Sequence, residues 1–303
     1  MLLQVLGTAA GGGLPQWNCA CPGCAGARAH PERRRRHASL ALRAGPGHWY
    51  VVNATPDIGE QIEACPDLLP APGPAADPRL SPLAGVVLTD AELDHTLGIA
   101  RLREARDGVD VLATAPVAAA VRDRLGLGAV LGPYTKVHWR ELTGTARQLN
   151  DQSAIKVAAV PVSAKRPRYA ADLGPDDATW SVALSLHDTG TGRTVLYAPA
   201  LAAWTDAFDK AAREADVVFV DGTFWDDEEP RRAGFSAKSA TGMGHLPITG
   251  PGGTAHRLAR LPGRCLYTHL NNTNPLGDPG AGQHGQLADW GLEVAQDRMV
   301  IEL

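Results

Sequence analysis

Three thiols crowd together at Cys19, Cys21 and Cys24, in the run Asn18-Cys19-Ala20-Cys21-Pro22-Gly23-Cys24. A C-x-C-x-x-C spacing lets three thiolates converge on one ion in a tight turn, and Pro22-Gly23 favours such a turn. A closed structural zinc site takes four ligands, so one is missing; His269, His30 and Asn272 are the candidates. The alternative is a loop with three free thiols, which is rarer at this spacing than single buried cysteines. A redox pair would need only two. The chain has five cysteines, an odd number that argues against a disulfide framework and for metal ligation in a reducing, cytoplasmic setting.

A second cluster lies in Leu88-Thr89-Asp90-Ala91-Glu92-Leu93-Asp94-His95-Thr96-Leu97-Gly98. Asp90, Glu92, Asp94 and His95 place four metal-capable side chains within six residues. They follow the apolar run 83–88, which reads as a buried strand. A loop at a strand's C-terminal end can aim alternate residues into one cleft, where a cation offsets the crowded negative charge. The same residues would also make an acidic loop capping a helix through Asp94, and spacing alone does not choose between the two. Taken singly, His245 and His269 read as structural histidines.

The elements that must position these groups come next. Strands are expected at 1–6, 38–42, 49–52, 83–88, 109–113, 155–161, 181–186, 194–198, 217–220 and 264–268. Gly45-Pro46-Gly47 makes a hairpin turn between the second and third. Helices are expected to start at 56–62 and to cover 97–106, 117–125, 204–215 and 253–261, with a Pro- and Ala-rich surface loop at 66–82. Strands come early in each half and helices later, without strict alternation, which fits two sheets with helices on their outer faces.

The 303 residues, 44% hydrophobic and 20% charged, suffice for a substantial core. They are read as one domain, 1–303, with a cysteine zinc loop at about 18–25. A net charge of −4 gives no global attraction to nucleic acid. The run Arg33-Arg34-Arg35-Arg36, between Glu32 and His37, is expected to be solvated surface. No segment reaches the ~18 apolar residues of a membrane span, and the first residues lack the basic region of a secretory signal.

The segment 88–98 resembles the T-H-x-H-x-D-H-x-x-G motif of the metallo-β-lactamase superfamily. Thr89, Asp94, His95 and Gly98 match it, while Asp90 and Glu92 stand where that family has its first two histidines. The resemblance implies an α/β sandwich of αββα type, two mixed β-sheets flanked by helices. It also assigns Asp221, after the apolar strand 217–220, to the carboxylate that bridges two metals. Gly244-His245 resembles the Gly-His of the branch that cleaves RNA and phosphodiesters, and His269 the last histidine ligand. The histidine expected near Pro161-Val162-Ser163 is absent, which argues against ordinary metal-hydroxide hydrolysis. Carboxylates in place of histidines favour harder ions.

Residues 7–24, with DGTFWDDE at 221–228, MGHLPITG at 243–250 and THLNNTNP at 268–275, are similar to a narrower family, the coenzyme pyrroloquinoline quinone (PQQ) synthesis B proteins. That resemblance covers nearly the whole chain. It implies a bacterial protein of PQQ biosynthesis whose partner is a peptide-derived Glu–Tyr intermediate or PQQ itself, and a homodimer. One implied role is an iron-dependent hydroxylase of the tyrosine-derived ring. Fe(II), or Mn, Mg or Zn, would be held by Asp94, His95, Asp221 and His269, with Asp90 and Glu92 as alternates. His245 would move protons, with Asp221 and Asp94 beside it. The other role is a non-catalytic carrier or transport factor, with Lys165, Arg166 and Arg168 contacting carboxylates. A residual hydrolase is the third and weakest.

Overall fold

Alternation sets the sheets. In Ile155-Lys156-Val157-Ala158-Ala159 the first, third and fifth side chains are buried and those between are half-buried, the mark of a strand with one face on a core. Val217–Asp221 is buried throughout, as expected of a central parallel strand covered on both faces. The computed structural model describes residues 1–71, 79–174 and 177–303. In chain order the strands are β1 (Leu2–Gly7), β2 (Ser39–Gly45), β3 (His48–Val52), β4 (Leu83–Val87), β5 (Val109–Ala113), β6 (Val137–Glu141) and β7 (Arg147–Gln148). They continue with β8 (Ile155–Ser163), β9 (Ser181–Asp188), β10 (Thr194–Ala198), β11 (Val217–Asp221), β12 (Arg264–Thr268), β13 (Glu293–Val294) and β14 (Val300–Glu302).

Two seven-stranded sheets result, ordered β14-β1-β2-β3-β4-β5-β6 and β13-β12-β11-β10-β9-β8-β7. Each is antiparallel over its first three pairings in chain sense and parallel over the rest: β3, β4, β5 and β6 run parallel, as do β10, β11, β12 and β13. The halves therefore repeat one topology, and the carboxyl ends of β4 and of β11 are equivalent places. Inward side chains of both sheets, among them Leu40, Tyr50, Val87, Leu184, Tyr197 and Phe219, form the middle core. Two outer cores lie under the helices, around Val86, Val111 and Val121 on one face and around Phe208, Val218 and Leu258 on the other. This is the expected αββα sandwich.

Several expectations shift. The helix expected at 97–106 is an α-turn at Leu93–Thr96 running into a 3-10 helix at Leu97–Glu104. That at 117–125 begins at Ala115–Ala118 and continues as a π-helix at Ala119–Arg124, and that at 253–261 shrinks to Ala255–Leu258. Pro22-Gly23 opens a helix, Pro22–Ala29, where a turn was expected, because proline suits the first helical position. Of the loop expected at 66–82, residues 72–78 lie outside the described residues, and Pro66–Leu68 is a 3-10 turn. The arginine run is not a free cationic face. Arg33 pairs with Asp278 at 3.2 Å, and Arg35 Nη1 donates to Thr8 Oγ1 and the Ala295 carbonyl, both at 2.9 Å. Among the described residues no helix is long and apolar enough to cross a membrane.

Candidate metal centres

From the first sheet, the chain leaves β4 into Leu88-Thr89-Asp90. Asn53, just past β3 and at φ +64°, pins this exit: its Oδ1 accepts from Thr89 N at 3.0 Å and its Nδ2 donates to Thr89 Oγ1 at 2.9 Å. Asp90 then turns toward the far side of the His95 ring. Its Oδ2 lies 2.7 Å from His95 Nδ1 and accepts from Thr89 Oγ1 at 2.8 Å, and its Oδ1 accepts from Glu92 N at 2.9 Å. Bonding at Nδ1 leaves His95 Nε2 as the ring atom facing the cleft. Asp94, in the next helical turn, presents its carboxylate there.

From the second sheet come Asp221 at the end of β11 and His269 just past β12, the latter at φ +59°. Such a conformation costs a non-glycine residue of order 1 kcal/mol or more and is held here by surrounding structure. His245 follows Gly244, which sits at φ +92° and has Lys165 across it, 2.9 Å from where a Cβ would be. The Asp221 carboxylate is saturated. Oδ1 accepts from Thr223 N at 2.9 Å and Thr223 Oγ1 at 2.6 Å, and Oδ2 from Leu201 N and His245 Nδ1 at 2.8 and 2.7 Å.

The two sheets meet at Asp94. Its Oδ2 lies 3.5 Å from His95 Nε2 and 3.5 Å from His269 Nε2, and the two rings are 5.2 Å apart. Both Nε2 atoms are buried and have no hydrogen-bond partner among the described residues. Orphaned buried nitrogens are costly, and here they point, with one carboxylate oxygen, at a common position. This donor set fits a metal ion. A second convergent group, Asp221, His245 and His269, shares His269. Thr223 Oγ1 lies among these three, 2.6 Å from Asp221 Oδ1, 3.1 Å from His245 Nδ1 and 2.9 Å from His269 Nδ1.

Charge follows the same layout. Burial would depress His95, but the Asp90 and Asp94 carboxylates outweigh it and hold the ring up at about 9. Burial opposes ionisation of Asp94, yet His95 and His269 keep its carboxyl well below the usual range. His269 is pulled down, chiefly by burial, and is neutral near pH 7. The metal-free cleft thus stores one proton on His95, which a cation would displace.

The three cysteines also converge, with their sulfur atoms within 4.8 Å of one another. Asn272 reaches them across the fold: its Nδ2 lies 3.2, 3.4 and 3.4 Å from the sulfurs of Cys19, Cys21 and Cys24. Gly23 permits the approach, since a Cβ there would meet the Asn272 carbonyl at 2.2 Å. Amide hydrogens of Gln16, Cys21 and Cys24 point at the sulfurs at 3.2, 3.4 and 3.5 Å. Burial pushes the Cys24 thiol up to about 11, a strain that a bound cation relieves by taking the thiolate.

Among the other expected residues, His30 is exposed beside Glu32 at 3.5 Å and does not reach the cysteines. Asp90 spends its oxygens on His95, Thr89 and Glu92 N rather than on the cleft, so its geometry is that of a group orienting a ligand. Glu92 is half-buried near Asp90 and Lys165, outside the convergent groups found among the described residues. Lys165 donates to the Met243 carbonyl at 2.6 Å, at the cleft's rim, and Arg166 to the Gly174 carbonyl at 3.1 Å. Arg168 is exposed. Asn53, Thr223 and Glu229 were not anticipated. Thr223 lies inside the DGTFWDDE run, whose signal was there to be read. Asn53 is a lone polar residue closing an apolar strand.

The fold and the histidine–carboxylate cleft define a class. A family model for the β-lactamase superfamily domain matches residues 48–270, and the chain is a metallo-β-lactamase-fold protein. A diphosphatase of the PhnP family shares the fold at TM-score 0.70 and 17% identity, covering 100% of this chain and 97% of that one. Closer relatives narrow the class. The chain is 40% identical to coenzyme PQQ synthesis protein B of Cupriavidus necator, over 99% of each, and 38% identical to that of Azoarcus sp., over 100% of each. It also superposes on Zn²⁺-bound PqqB from Methylobacterium extorquens with TM-score 0.89 at 31% identity, over 100% of both chains. The chain belongs to the coenzyme PQQ synthesis protein B family.

Proposed function

We propose that this protein acts in PQQ biosynthesis as a metal-dependent oxygenase, hydroxylating the tyrosine-derived ring of a peptide-derived Glu–Tyr compound. One observation carries the reading: two imidazole nitrogens without a hydrogen-bond partner among the described residues and one carboxylate oxygen, from His95, His269 and Asp94, face a common point. Two histidines and a carboxylate with the other positions open form the ligand set of non-haem Fe(II) oxygenases. An iron held there supplies O₂ activation and a place for the ring hydroxyl.

The chain's own residues do the rest. Asp90 fixes the His95 ring through Nδ1, and the saturated Asp221 fixes His245 in the same way. His245 is thereby left with Nε2 free to take the proton from the ring carbon that gains oxygen. Each hydroxylation turns a ring C–H into C–OH, consumes one O₂, two electrons and two protons, and releases one water. An external reductant that delivers two electrons per turnover is therefore required. At the cysteine cluster the proposed ligands of a structural zinc are Cys19, Cys21, Cys24 and Asn272, with the Asn272 carboxamide turned so that oxygen faces the ion. An oxygen ligand about 2.0 Å and thiolates about 2.3 Å from a tetrahedral zinc lie roughly 3.5 Å apart, close to the 3.2–3.4 Å seen here.

The test is aerobic incubation of iron-loaded protein with the linked Glu–Tyr compound and a reductant under ¹⁸O₂, followed by mass analysis. Incorporation of ¹⁸O into the ring is expected. No O₂-dependent product, together with stoichiometric binding of PQQ, would replace this reading with the carrier.

A further inference from the structure

The hydroxyl of Thr223 occupies a position where bond directions can be assigned. It has one proton and two lone pairs. Its nearest neighbour is Asp221 Oδ1 at 2.6 Å, an ionised carboxylate with no proton to give. The other oxygen acceptor in reach, the His269 carbonyl, is neutral and farther, at 3.1 Å, and His245 Nδ1, also at 3.1 Å, carries the proton it gives to Asp221 Oδ2 and so cannot accept. The charged, shorter contact takes the proton. Thr223 Oγ1 then faces His269 Nδ1 at 2.9 Å with a lone pair, so that nitrogen must be the donor. A neutral imidazole carries one N–H, and placing it on Nδ1 leaves the lone pair on Nε2, the atom beside Asp94.

We propose that Thr223 is a positioning residue that locks His269 in the Nδ1–H tautomer, so that Nε2 is presented to a cation at the Asp94–His95–His269 site. The same hydroxyl fills the centre of the Asp221–His245–His269 group, so the cleft takes one ion rather than two. This rests on the metal-site reading above. Thr223 is 3% exposed and spans the two signature runs of the second sheet, since it also meets the Asn271 amide through its carbonyl.

The experiment compares wild type, Thr223→Ser and Thr223→Val, each with zinc retained at the cysteines, by Mn²⁺ titration read by electron paramagnetic resonance. Long-range ¹H–¹⁵N spectra of the metal-free proteins report the tautomer, with His269 assigned by the loss of its signals in His269→Gln. One Mn²⁺ is expected in wild type. Serine, which keeps the hydroxyl, should bind close to wild type, and valine about 10–100-fold more weakly. Metal-free wild type and serine should show His269 protonated at Nδ1, and valine should lose that preference. Equal Mn²⁺ affinity in wild type and a folded valine variant, two ions in wild type, or His269 protonated at Nε2 in wild type would each overturn the proposal. If wild type binds no Mn²⁺ yet shows the Nδ1–H tautomer, the metal-site reading fails and the assignment of the Thr223 hydrogen bonds stands.

Discussion

Glu229 gives the sharpest quantitative test, because it is a buried carboxyl that clamps the segment carrying His269 and Asn272. It is 3% exposed; its Oε2 accepts from Trp225 N and its Oε1 from Thr273 Oγ1, both at 2.6 Å. Burial outweighs both bonds and pushes the group up from 4.5 to about 7. A carboxyl whose folded pKa is raised stabilises the protein fully below the unfolded value, and that contribution is lost as pH rises through the folded value. The window is therefore pH 4.5 to about 7. A shift of that size at about 1.4 kcal/mol per unit is worth about 3 kcal/mol. Glu229→Gln removes the charge but keeps the shape: its oxygen can accept from Trp225 N while its amide donates to Thr273 Oγ1. The variant should match wild type at pH 4 and exceed it by up to about 3 kcal/mol at pH 8. Urea unfolding of both proteins at intervals across this range reads the difference, and groups that titrate alike in both cancel. A stability difference that stays flat from pH 4 to 8 would refute the burial argument.

Cys21→Ser should release about one zinc per chain and lower the melting temperature, since structural zinc couples to folding; zinc-free wild type, or an unchanged melt, would remove the assignment. Asp94→Ala and His95→Ala should each weaken Fe²⁺ and Mn²⁺ binding, measured by calorimetry, while leaving zinc at the cysteines; unchanged affinity in both would remove the second site. His245→Ala should keep its iron and lose ring hydroxylation, and full iron with undiminished product would reject its role in proton transfer.

Much of the fold was legible because its strands are strongly patterned. The apolar runs 83–88 and 217–220 and the strand expected at 264–268 coincide with β4, β11 and β12, which end at the cleft. The edge strands escaped notice for a physical reason. Val137–Glu141, with no fully buried residue, and the two- and three-residue β7, β13 and β14 bury too little to leave a period-two signal. The helix after His95 was misjudged in type because local sequence does not distinguish a 3-10 run from an α-helix. What tightens that turn is tertiary: Gly98 packs where a Cβ would lie 2.0 Å from the Thr55 carbonyl, and its amide bonds the Ala54 carbonyl.

Site chemistry was harder to read because sequence gives the order of polar groups but not which lone pairs are already spent. Asp90 and Glu92 stand where the superfamily motif has histidines, and a carboxylate at a ligand position suggests a harder ion. In the folded chain Asp90 is turned away from the cleft and holds His95, while Asp221 holds His245 and Thr223. The cleft's open donors are then two imidazole nitrogens and one carboxylate oxygen. A set with that share of nitrogen moves the expected preference away from Mg²⁺, which favours oxygen ligands, toward Mn²⁺, Fe²⁺ and Zn²⁺. Asp90 and Asp221 would still act on an ion held there, but through the rings they orient. Replacing a ligand by an orienting group leaves coordination positions open, and open positions are what an oxygenase needs and a closed structural site lacks.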